Sequence, residues 1–262
     1  KAVASRAPRG AYPRGFSGEQ PYWTIVGIDG GREQGLIGED GAVEVAKGGF
    51  SIEPFVVADG TLVTWADVNT TQSLQDGYLP IPSVHWTHPG FKLDIASFGE
   101  GEPDDSRLVT RYRLTNTTQE AADYTLQLRV RPLQVNPPSQ FLNTTGGVSP
   151  IETVRISPNT VDVDGRLVVF SRDATQMQVS AFASQDTPLM MPSWHSAPRV
   201  RDPEKLASAA LDYVVRLAPG ESLDIAWVST LSGTAKLDAS GAAERQQTVA
   251  RSWRSKLDRL QI

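Results

Sequence analysis

The sequence predicts an all-β chain: one large antiparallel β-sandwich of two packed sheets, followed by a single C-terminal α-helix. Three observations predict it. From Tyr22 onward, short runs alternate apolar and polar residues with period two, separated by Asp-Gly and Pro-Gly turns. Long proline-bounded loops interrupt the strands at intervals. From Gly241 to Ile262 there is no proline and little β-branching, and apolar residues recur at helical spacing.

The totals agree. At 262 residues, with 39% apolar and 21% charged side chains, the chain can bury a substantial core. A formal charge of −5 leaves no basic excess for phosphates, which argues against nucleic acid as a partner. Cysteine is absent, which excludes disulfides, thiolate metal sites and cysteine nucleophiles. No apolar run is long enough for a membrane span, and no signal-peptide core opens the sequence. The chain is therefore cytoplasmic or has lost a leader, and its start at Lys1 points to a processed or excised piece. No membrane partner, metal or cofactor is expected.

Residues 1–21, rich in Pro, Gly, Arg and Ser, read as an arm that lies over the fold or is partly disordered. Residues 22–233 form the sandwich, and residues 234–262 a linker and helix. Strands are expected at Trp23–Asp29, Gln34–Ile37, Ala42–Ala46, Phe50–Ala58, Thr61–Val68 and Phe91–Phe98. Gly77–Gly90, with three prolines, reads as a poor central strand in which Ser83–Trp86 pairs at most at an edge.

The stretch Arg107–Asn143 reads as a central antiparallel hairpin. Leu108, Tyr112 and Leu114 alternate before a polar break at Thr115–Glu120, and Tyr124, Leu126, Leu128 and Val130 alternate after it. Arg111, Arg113, Arg129 and Arg131 fall on its polar face, which is wet or meets something charged. Further strands follow at Glu152–Ile156, Thr160–Val163, Arg166–Arg172, Met177–Ala183, Ala207–Leu217 and Ser222–Ser232. On the terminal helix Val249, Trp253, Leu257 and Leu260 form the apolar stripe, and Asp238 or Ser240 is the expected N-cap. Such a stripe must dock. With no C-capping glycine after Leu260, it is expected to meet a downstream domain; the alternative is that it closes the sandwich.

Candidate chemistry concentrates in the two proline-bounded loops. His85-Trp86-Thr87-His88 places histidines beside an aromatic ring, but in an extended segment residues three apart point to opposite faces, so a packed loop anchored by Trp86 is the plainer reading. Trp194-His195 lies in the other loop, which also holds Met190 and Met191. If the loops meet, Tyr78, Trp86 and Trp194 line a shared concavity, with His85 and His195 beside it, and flat rings of this kind hold sugar faces. Glu102-Pro103-Asp104-Asp105 reads as a solvated turn. Asn69-Thr70-Thr71, Asn116-Thr117-Thr118 and Asn143-Thr144-Thr145 match the glycosylation pattern but read as turns. No Gly-x-Ser-x-Gly elbow is present.

Several stretches resemble the N-terminal β-supersandwich module of large bacterial six-hairpin (α/α)6-toroid glycoside hydrolase-like proteins. They are Tyr22–Asp29, Ser51–Pro54, Leu79–Trp86, Tyr112–Asn116, Arg131–Asn143 and the terminal helix. The resemblance implies a galactose-mutarotase-like fold in which the helix joins sandwich to toroid. It also implies a secreted or periplasmic enzyme whose catalytic carboxylates come from the toroid, so it assigns no catalytic residue here. The implied function is a non-catalytic accessory domain that packs on the toroid and contacts oligo- or polysaccharide. Two other readings stand beside it. An aldose mutarotase or epimerase would need His85, His88 or His195 opposed to Glu53, Glu100 or Glu152. A protein-interaction scaffold would use the Arg111, Arg113, Arg129 and Arg131 face.

Overall fold

The computed structural model describes residues 7–136, 147–182 and 194–259. The strands run in order β1 (Trp23–Val26), β2 (Gly35–Gly38), β3 (Val43–Glu44), β4 (Ser51–Ala58), β5 (Thr61–Val63), β6 (Asn69–Gln75), β7 (Leu79–Thr87), β8 (Phe91–Glu102), β9 (Asp105–Asn116) and β10 (Ala122–Arg131). Then come β11 (Thr153–Ser157), β12 (Thr160–Val163), β13 (Arg166–Phe170), β14 (Gln176–Ser180), β15 (Arg199–Arg201), β16 (Ser208–Leu217), β17 (Ser222–Thr230) and helix α1 (Ala242–Leu257). The first sheet has the order β1-β2-β3-β4-β10-β16-β14, with β5 also on β4. The second has the order β15-β11-β12-β13-β17-β9-β8-β7-β6. Every strand pairing within the two sheets is antiparallel. The chain is the large two-sheet antiparallel sandwich with a C-terminal helix that its alternation predicts.

The expected hairpin does not form. β9 pairs with β8 and β17 in the second sheet, whereas β10 pairs with β4 and β16 in the first. The polar break is a crossing between sheets, tied by Asn116: its Nδ2 donates to Glu120 O at 2.8 Å and Leu217 O at 2.9 Å, and its Oδ1 accepts from Thr118 N–H at 2.8 Å. The apolar sides of both arms still share one core, where Leu108, Tyr112 and Leu114 meet Tyr124, Leu126 and Leu128 from across the sandwich. Alternation fixes which face is buried, not which strand is the neighbour. The basic residues therefore part company. Arg111 and Arg113 lie on the outer face of the second sheet, Arg129 and Arg131 on the outer face of the first, so no single arginine face exists for a scaffold partner.

Two further expectations change. Leu79–Thr87 is a strand bonded on both sides, but β8 pairs only with Ser83–Thr87. Pro80 and Pro82 lie in the half that β8 leaves free, where a missing N–H costs nothing. Asn69-Thr70-Thr71 is no turn; it opens the polar edge strand β6.

The arm from Ala7 to Pro21 lies over the fold. Trp65 Nε1 donates to Tyr12 O at 2.8 Å, and the Arg9 and Arg14 guanidinium groups each sit 4.6 Å from the Trp65 ring centroid. Gly10 permits this approach: at φ +93° a Cβ there would stand 2.0 Å from Thr64 Oγ1. Arg14 N–H also reaches the carboxylate of Asp40 at 2.7 Å. Burial pushes the Asp40 carboxyl up to about 6, against the N–H donors of Arg14 and Ala42 that favour its anion.

Helix α1 covers part of the outer face of the second sheet. Ala242, Gln246 and Ala250 are buried, and Val249, Trp253 and Leu257 are half-buried against a cluster that includes Leu79, Ile81, Phe98, Val109 and Val228. Neither Asp238 nor Ser240 caps it. Gly241 holds the N-cap position at φ 60°, while Asp238 accepts from Ser240 N–H at 2.8 Å. Gln246 bridges strands, accepting from Arg111 Nη1 at 2.7 Å and donating to Gln75 Oε1 at 2.9 Å.

Candidate functional site

On the first sheet the outward residues of β4, β10 and β16 meet in register. Arg131 lies opposite Ser51, Arg129 opposite Glu53 and Ala210, and Gln127 opposite Phe55 and Asp212. Period-two alternation places all of them on the face away from the core. Yet this face is largely closed to water: Arg129 is 2% exposed, Arg131 5% and Glu53 4%. Charges withdrawn from water must be matched, and most are. Arg131 donates to Glu53 from Nε at 3.1 Å and from Nη2 at 2.8 Å, a bidentate pair completed by Ser51 Oγ at 2.7 Å. Gln127 Nε2 donates to Asp212 at 2.6 Å, and its Oε1 accepts from Arg129 Nε.

Arg129 forms no ion pair with a carboxylate among the described residues. Burial, then the neighbouring Arg131 charge, push its guanidinium down to about 9, still cationic at neutral pH. Among the described residues, aromatic rings flank it. Its guanidinium carbon is 3.9 Å from the Phe55 ring centroid and 5.8 Å from that of Trp194, while Arg131 lies 5.1 Å from Tyr12. Trp194 Nε1 and Asn136 Oδ1 are buried without a hydrogen-bond partner among the described residues. His195 continues this edge, its backbone bridged to Val179 by two 2.9 Å hydrogen bonds, with its side chain exposed. Guanidinium, carboxylate, amide and indole groups gathered on one sheet face suit hydroxyl-rich ligands, which use donors and acceptors together.

The predicted residues do not converge. Trp86 is 1% exposed, sits in the core and donates from Nε1 to Asp40 O at 3.2 Å. It cannot be a stacking platform, because alternation along β7 turns it inward. Tyr78 is exposed at the β6–β7 turn, with its hydroxyl donating to Asp258 at 3.2 Å. It belongs to the second sheet, away from Trp194, so the shared concavity does not form. His85 is on the outer face of the second sheet, with Nδ1 2.6 Å from Asp94 and Nε2 2.8 Å from Ser73 Oγ. His88 stacks on Phe91 at 4.7 Å.

No histidine faces the glutamates that a mutarotase reading needs: Glu53 holds Arg131, Glu100 holds Arg245 at 3.0 Å and Glu152 holds Arg201 at 2.7 Å. Val249 and Trp253 line a cleft of about 340 Å³ beside the β8–β9 turn. Leu260, Met190, Met191 and the Asn143 tripeptide lie outside the described residues. What the sequence reading missed is Gln127, Asp212, Phe55 and Tyr12; the alternating Gln127, Arg129 and Arg131 were the available signal.

No family model matches the sequence, and neither does any curated protein. Solved structures do. A bacterial glucoamylase complexed with acarbose superposes at a TM-score of 0.50 with 9% identity, over 90% of this chain and 37% of that one. A putative aldose 1-epimerase from Escherichia coli K12 is similar at a TM-score of 0.41 and 10% identity, over 80% of this chain and 98% of that one. A putative kojibiose phosphorylase from human microbiome reaches 0.36 at 9% identity, over 90% and 28%. The chain thus spans little more than a third of the glucoamylase it matches. At 9% identity the likeness to the glucoamylase speaks for the fold alone, a large two-sheet antiparallel sandwich.

Proposed function

We propose that the chain is the accessory β-sandwich domain of a larger glycoside hydrolase-like enzyme. It packs against an (α/α)6 catalytic domain of the same polypeptide, cleaves no glycosidic bond itself and touches glycan at the Trp194–His195 edge of the first sheet. The observation that carries this reading is the match of nearly the whole chain to only 37% of a glucoamylase. The chemistry of the described residues supports it: of the buried carboxylates, Glu53 is taken up by Arg131 and Asp40, Glu44 and Asp202 by backbone N–H groups, and none is opposed to a histidine across a groove. An enzyme that handles polymeric glycan works where the polymer is, so a secreted or periplasmic location belongs to the same proposal.

Affinity electrophoresis in gels containing soluble polysaccharide tests it, combined with reducing-sugar assays on the same chain. Retardation without sugar release is expected, and Trp194→Ala should lessen the retardation. Sugar release by this chain alone would refute it.

A further inference from the structure

The second sheet carries a different constellation, assembled by three neighbouring strands. Thr71 of β6 pairs with His85 of β7, and His85 pairs with Asp94 of β8. Ser73, two residues along β6, falls on the same outward face. His85 Nδ1 is 2.6 Å from Asp94 Oδ1, and His85 Nε2 is 2.8 Å from Ser73 Oγ. The chemistry fixes the proton positions. An ionised carboxylate only accepts, so Nδ1 carries a hydrogen; in the neutral imidazole Nε2 is then the acceptor, and the Ser73 hydroxyl donates to it. Asp94 is not diverted by the arginine opposite it, since Arg113 turns toward Asp224, 3.8 Å away.

We propose that Ser73, His85 and Asp94 form an acyl-transfer relay acting on small carboxylic esters. Ser73 Oγ attacks the ester carbonyl carbon while His85 Nε2 takes the hydroxyl proton, and Asp94 holds the imidazole in the required tautomer. The tetrahedral adduct collapses, the bond to the alcohol oxygen breaks, and Nε2–H returns the proton to the departing alkoxide. Water then attacks the acyl-serine, gives its proton to Nε2, and the carboxylic acid leaves as the proton returns to Ser73. β6 is the edge of its sheet, and alternate N–H groups of an edge strand point outward unpaired. The outward N–H nearest Ser73 is the donor for the oxyanion. The exposed Ser73 is open to a small ester from solvent.

The test treats the full chain with a fluorophosphonate, locates the adduct by mass spectrometry, and measures p-nitrophenyl acetate hydrolysis. The adduct is expected at Ser73. Ser73→Ala and His85→Gln should each lower the rate by about 10²-fold or more, with Asp94→Asn intermediate and thermal midpoints unchanged. No adduct at Ser73, an adduct that forms equally in His85→Gln, or a wild-type rate in Ser73→Ala would overturn the proposal.

Discussion

Arg131 and Glu53 meet as a bidentate ion pair, Nη2 to Oε2 at 2.8 Å, with side chains only 7% and 5% exposed. The pair joins β10 to β4 on the outer face of the first sheet, and Ser51 completes the carboxylate's bonding. Such a pair owes its importance less to attraction than to the penalty of leaving one charge alone. Glu53→Ala should therefore cost about 3–5 kcal/mol in urea unfolding, whereas replacing both partners with leucine should cost clearly less. Equal losses would mean that the desolvation argument is wrong.

Asp40 gives a pH signature. Its folded-state value of about 6 lies above the ordinary 3.8, so the folded state binds the proton more tightly than the unfolded chain does. Stability from this group is complete below the unfolded value and falls as pH rises toward the folded one. Between pH 4 and pH 7, Asp40→Asn should gain about 2 kcal/mol relative to wild type. Paired urea titrations at both pH values measure it, and a constant difference would contradict the assignment.

Trp86→Ala should cost about 3–5 kcal/mol in stability, as a large core side chain does, and should leave glycan retardation per folded molecule unchanged. Trp194→Ala should do the reverse. Denaturation curves and gel retardation on both variants separate core anchor from surface contact.

The helix seam makes a steric prediction. Ala250 is fully buried between α1 and the second sheet, so Ala250→Leu should destabilise by about 1–3 kcal/mol through overpacking. An unchanged thermal midpoint would mean the helix does not dock as described.

Most strands were legible because period-two alternation is a local property: Thr160–Val163 is found at its expected bounds and Ser208–Leu217 within a residue of them. Partnership was not. β9 and β10 alternate alike because both face one core, yet they belong to opposite sheets. β6 escaped notice because an exposed edge strand, NTTQSLQ, has no apolar side to report it. The sites failed for the same reason. Ser73, His85 and Asp94 meet only through the pairing of β6, β7 and β8, and Arg129 with Glu53 and Asp212 only through β4, β10 and β16. The expected sharing of one groove by Trp86 and Trp194 rested on loop proximity, and in the fold those loops belong to different sheets.

The most direct test of the accessory-domain account is an NMR titration of the ¹⁵N-labelled chain with an oligosaccharide, followed to completion by product analysis. The account predicts shifts clustered on Trp194 and His195, with the saccharide recovered intact. Cleavage of its glycosidic bonds, or shifts confined to the face beneath α1, would contradict it.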